Sequence, residues 1–250
     1  AYATVIAQGI SALLCLGYIV WKFDILKLQK VDFRFDFSMS RRLLSIGVPM
    51  GLQFSITAIG SIIVQSAINV FGADYIAGYA AAGKLQNMIN SIFIAFGATI
   101  ATFVGQNRGA GKMDRVKKGY LASLWTVGVW GLLITLAFVF VPEPIARIFF
   151  HEPEAISIAV GYLIIIGFCE AFMCEELMTV GALSGLGRTR LCSVISITFT
   201  SARIPLAIIL GGRMGLDGIW WAFSSTSIMK GIIFVLTFFW ITREKRVGKA

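Results

Sequence analysis

Residues 167–190, GFCEAFMCEELMTVGALSGLGRTR, follow directly on the apolar run ISIAVGYLIII (156–166). Together they have the length and greasiness of a membrane-crossing helix, yet Glu170, Glu175 and Glu176 fall within seven residues near its middle. An ionised side chain at the bilayer centre costs ~2.5–3.5 kcal/mol, so three would cost ~8–10 kcal/mol. The ten Leu, Ile, Phe and Val residues of 160–183 return only ~3–6 kcal/mol. Such a helix does not sit alone in lipid with three charged acids. They must be paired, hydrated in a cavity, or protonated.

The rest of the chain has the same character. Of its 250 residues, 57% are hydrophobic and 14% charged, against about a quarter charged in a soluble domain. The apolar residues come in long runs rather than in alternation, which marks a helical protein that crosses the membrane several times. Seven spans are expected, at roughly 1–21, 43–70, 76–105, 119–141, 156–184, 190–212 and 218–241. Ala1 already lies in an apolar run, with neither an initiator Met nor a charged leader. The chain is therefore expected to be a fragment lacking its N-terminal part.

The net charge of +9 is distributed in a way that points to a membrane and away from nucleic acid. Alternate connectors, starting with 22–42 and ending with the tail, hold 17 Lys and Arg; the other set holds 2. Arg108, Lys112, Arg115, Lys117 and Lys118 crowd the 106–118 connector, whereas 142–155 has Arg147 alone. Lys and Arg accumulate on the cytoplasmic side, so the C-terminus is expected there. Anionic lipid headgroups are the expected contacts of these charges.

Three cations, Lys84, Arg203 and Lys230, also fall inside spans and balance the three acids. Glu170 is expected to pair with Lys230 or Arg203, because intramembrane charges usually pair. At ~100° per residue, Glu175 and Glu176 lie about 140° and 240° around the helix from Glu170. One regular helix cannot aim all three into one cavity, so either the helix is interrupted near Gly167 or Gly181, or the acids have different tasks. Burial disfavours the charged form of a carboxyl, so at least one of these acids is a candidate for exchanging a proton or binding a cation. Gln53, Gln65, Asn69, Gln86, Asn87 and Asn90 are candidate cavity residues, although each can serve as a simple interhelical hydrogen-bonding group.

Other signals are weaker. VGQNRGAGKMDRVKKG (104–119) lacks the ending of a phosphate loop and follows no strand, so it is expected to be a helix end, a glycine turn and a basic segment. Cys15, Cys169, Cys174 and Cys192 match no metal or redox spacing. Pro49, Gly51 and Pro205 are expected to kink or merely curve their helices. No zinc-protease motif is present, and the single His151 falls in a connector, so an intramembrane enzyme is the remote reading and no cofactor is expected. A purely structural subunit leaves the acids unexplained.

SIGVPMGLQ (45–53), VGQNRGAGKMDRVKKG (104–119), GALSGLGRTR (181–190), RIPLA (203–207) and GLDGIWWAFSSTSIMKGI (215–232) resemble, in order, motifs of the multidrug and toxic compound extrusion (MATE) transporters. The resemblance implies an all-α membrane protein. Residues 1–21 would be the last helix of a first lobe and 22–42 a cytoplasmic linker. Residues 43–242 would form a six-helix second lobe, and 243–250 a cytoplasmic tail. It implies export of small organic molecules, with cations the expected class, driven by H+ or Na+ across the plasma or inner membrane, and a missing first lobe as partner. Some relatives carry an acid in the helix matching 43–70, and this chain has none. Glu176 falls where related bacterial sequences often have one; Glu175 and Glu170 are less typical. The alternative is a lipid-linked oligosaccharide flippase, which would need a more strongly cationic cavity.

Overall fold

Residues 2–23, 35–69, 72–149 and 152–247 are described by a computed structural model. They form eight helices: α1 (Tyr2–Lys22), α2 (Phe37–Asn69), α3 (Ala73–Gly109), α4 (Met113–Phe140), α5 (Pro142–Phe149), α6 (Pro153–Gly185), α7 (Thr189–Met214) and α8 (Leu216–Val247). Seven are long and apolar enough to cross a membrane. The helices overrun the expected spans because helical hydrogen bonding continues into the polar ends after the apolar run stops. The expected linker at 22–42 is only partly covered: α2 already begins at Phe37, and residues 24–34 lie outside the described residues, as does His151. The 142–155 connector, expected to be a loop, contains α5, whose Arg147 binds Glu143 one turn earlier at 2.7 Å.

The chain divides into two compact units, residues 1–45 and 46–250. The first holds α1, whose side chains are almost all exposed, and the opening turns of α2. The second holds the remainder of α2 and α3 to α8. α6 is its axis and the most buried of the spans, packing against α3, α4 and α8. Two apolar cores are strung along it. One gathers Ile100 and Val104 of α3, Tyr120 of α4, Met178 and Ala182 of α6, and Phe234 and Phe238 of α8. The other gathers Leu85, Phe138, Leu163, Ile166 and Trp220, with Ile68 of α2 and Ala146 of α5.

Lipid tails are as apolar as leucine, so helices associate here through close contact and hydrogen bonds rather than through exclusion of water. Small residues let backbones approach. A methyl group added at Gly181 would overlap the carbonyl of Gly97, and one at Gly185 the carbonyl of Ala101. α3 and α6 thus cross backbone to backbone over two turns, with Gly181 and Gly185 spaced four apart on one face. At one end of the bundle, Arg108 donates to the carbonyl of Leu186. This joins the basic α3–α4 turn to the α6–α7 turn, where Gly187 has a positive φ of 65°. Both basic connectors therefore lie at the same end. Pro49 and Pro205 sit within continuous helices.

Candidate functional site

α6 runs unbroken from Pro153 to Gly185, which decides between the two expectations for its acids. They point to three different places. Glu176 faces a cavity of about 550 Å³ walled by α2, α3, α6, α7 and α8. Glu175 faces an apolar groove beside α4, lined by Leu124, Trp125 and Gly128, where its Oε1 occupies the space that a side chain on Gly128 would need. Glu170 faces the protein interior. It is fully buried, and neither carboxyl oxygen has a hydrogen-bond partner among the described residues.

The ion pair differs from the expected one. Lys230 of α8 binds Glu176, Nζ to Oε1 at 2.9 Å, and both side chains are largely buried. Glu170 pairs with neither Lys230 nor Arg203. Six residues separate the two acids, about 9 Å along the axis and roughly 120° around it. Only Glu176 has both the level and the direction of Lys230.

Arg203 takes hydroxyl partners instead. Its Nε donates to Thr226 Oγ1 at 3.0 Å and its Nη2 to Ser227 Oγ at 3.1 Å, while the guanidinium lies 3.9 Å from the centre of the Phe223 ring. Lys84 lines the same cavity but is exposed rather than buried as expected. Among the described residues no carboxylate lies within 4 Å of Arg203 or Lys84.

Of the uncharged candidates, Gln53, Gln65, Gln86, Asn87 and Asn90 line the cavity. Asn69 does not. It stands at the exposed end of α2, where its Oδ1 accepts from Gln65 Nε2 at 3.1 Å. Gln86 also accepts from Tyr162 Oη at 2.5 Å, and it is the polar side chain next to Glu170 although out of hydrogen-bond geometry. A polar path of Tyr162 and Gln86 therefore leads from the cavity wall towards the sealed acid.

Several lining residues escaped the sequence reading: Thr57, Ser61, Tyr79, Tyr162, Ser196, Thr200 and Ser227. Hydroxyls are common in membrane helices and often bond their own backbone, as Thr57 does to the carbonyl of Gln53 at 2.9 Å, so singly they carry no signal. The run SSTS at 224–227 was the available hint. It supplies both hydroxyls that hold Arg203.

The MatE family profile matches residues 49–209. The probable multidrug resistance protein NorM of Thermotoga maritima is 28% identical over 255 residues, 98% of this chain and 53% of that protein. The probable multidrug resistance protein YpnP of Bacillus subtilis is 27% identical over 224 residues, 88% of this chain and 49% of that protein. A crystal structure of MATE in the bent conformation superimposes with a TM-score of 0.87 at 17% identity, covering all of this chain and 56% of that one. The chain thus spans about half the length of the relatives it matches, and its helices follow the fold of half a MATE transporter. With most of α2 to α7 inside the profile, the chain belongs to the MatE family.

Proposed function

We propose that this chain forms the last helix of the first lobe and the whole second lobe of a secondary transporter. That transporter exports drugs or organic metabolites by alternating access, driven by inward flow of a cation. The basic connectors and the tail lie in the cytoplasm, and the protein resides in the plasma or inner membrane. In support stand the polar, charged cavity at mid-bundle in an otherwise apolar molecule and the multidrug resistance proteins among its relatives. No catalytic step is assigned.

The observation that carries the coupling is the contrast between two acids about one and two-thirds turns apart. Glu176 is tied to Lys230 and stays charged while that pair lasts. Glu170 has no hydrogen-bond partner among the described residues and no solvent-exposed surface. An unpaired ionised carboxylate is strongly disfavoured in such surroundings, so Glu170 holds its proton while sealed. Opening the lobe along the Tyr162–Gln86 path would hydrate it and let the proton leave. Coupling requires that an ion bind the two conformations unequally, and a sealed, unpartnered acid meets that requirement better than a clamped one. Glu170 therefore becomes the first candidate for coupling and Glu176 the second. With Cys169 and Cys174 on the same helix and one amide nearby, the surroundings suit H+ better than Na+, which takes several oxygen ligands.

The test is cargo-stimulated proton movement in proteoliposomes of the complete transporter. Acidification of the side from which cargo leaves is not expected; proton entry against cargo exit is. Cargo movement unaffected by an imposed proton gradient would overturn the reading.

A further inference from the structure

The cations of the cavity are not matched by its acids. Lys84, Arg203 and Lys230 line it, and Glu176 is the acid on the same wall. Glu176 is already occupied by Lys230. Glu170 and Glu175, which balance the charge in the sequence, face the interior and the groove beside α4. Among the described residues neither Arg203 nor Lys84 has a carboxylate within ion-pair distance, and Glu176 acts on Arg203 only at longer range.

Arg203 is held ready for a ligand. Two hydroxyls take its Nε and Nη2, and Phe223 lies against its face. Those contacts fix the guanidinium plane but do not neutralise it. A guanidinium has five N–H donors in a rigid fork, so donors remain for a planar anion. A cation kept at membrane depth with no acid in contact is costly and commonly marks a ligand pathway. Tyr79, Tyr162 and Phe223 on the same walls offer faces for a ring.

We propose that the cavity wall around Arg203 and Lys84 binds the anionic group, a carboxylate or phosphate, of an aromatic cargo. This reverses the expectation of a cationic substrate, and it rests on the reading of this lobe as half of a transporter. Arg203 takes the anion through its free N–H donors. Lys84, at the open side of the cavity, contributes charge at longer range. The Glu176–Lys230 pair stays closed and keeps a third cation from overfilling the site.

The test uses the complete transporter in phosphatidylcholine nanodiscs without any gradient. The probes are fluorescein and rhodamine 6G, which share a xanthene skeleton but differ in charge sign, followed by fluorescence polarisation. Fluorescein is expected to bind about tenfold or more tighter than rhodamine 6G, and Arg203→Gln to weaken fluorescein by about tenfold while sparing rhodamine 6G. Arg203→Lys should retain part of the affinity. Lys84→Gln, at an exposed position that does not endanger folding, should weaken fluorescein several-fold. Adding phosphatidylglycerol identifies the source of the anion: displacement of fluorescein points to a lipid headgroup, and no displacement to a soluble cargo. Tighter binding of rhodamine 6G, or unchanged fluorescein binding in Lys84→Gln and Arg203→Gln, would overturn the proposal. No gradient is present, so a protein that binds fluorescein as expected but shows no ion coupling would contradict the proposed function alone.

Discussion

Lys230 on α8 reaches Glu176 on α6 at 2.9 Å, an ion pair between two membrane-spanning helices. It stands on the cavity wall, so it both joins two helices and sets the charge of the site. Removing one partner leaves the other charged and unpaired, at a cost of roughly 3 kcal/mol for a buried pair. Glu176→Gln should therefore lower the melting temperature of the complete transporter in detergent. Lys230→Met alone should do the same, and the double variant should recover most of the loss. Additive losses in the double variant would show that the two side chains do not support one another.

The α3–α6 crossing predicts a second effect. Any side chain at Gly181 meets the backbone of Gly97, which cannot swing aside as a side chain can. Gly181→Ala should destabilise the folded transporter by about 1–3 kcal/mol, as overpacking does. Gly9→Ala on α1, where a methyl group meets nothing within 4 Å, is the control. Thermal unfolding followed by size-exclusion chromatography reads both, and equal melting temperatures for the two variants would contradict the crossing.

Topology gives a third. Lys112 lies in the basic α3–α4 turn and Glu152 at the opposite end of the bundle, where α6 begins. Single cysteines at these positions, in a protein whose own cysteines have been replaced, should react with a membrane-impermeant maleimide from opposite sides, Lys112→Cys from the cytoplasm. Labelling of both from the same side would contradict the assignment.

The helices were legible because each apolar run exceeds what a soluble helix needs, and their order followed from the connectors. The three directions of the acids were legible too, since a regular helix turns about 100° per residue whatever surrounds it. The register between helices was not. That intramembrane charges usually pair suggested Glu170 with Lys230 or Arg203, but the rule does not say which residues of two packed helices meet. α5 is short and charged at Glu143 and Arg147, so it looked like part of a connector. Arg203 was expected to seek an acid. The hydroxyls of Thr226 and Ser227 and the ring of Phe223 hold it instead, and residues so common in membrane helices gave no warning.

Glu170, sealed and without a hydrogen-bond partner among the described residues, is the residue proposed to carry the coupling proton of this lobe. Glu170→Gln has the shape of the protonated acid and cannot release a proton. It should fold normally, with an unchanged melting temperature, because the wild-type side chain has no hydrogen bond to lose among the described residues. The decisive measurement is cargo efflux from proteoliposomes of the complete transporter under an imposed proton gradient, with equilibrium cargo binding measured on the same sample. Retained binding and loss of gradient-driven efflux are expected in Glu170→Gln. Full gradient-driven efflux by that variant would contradict this assignment and return the coupling role to Glu176 or to the other lobe.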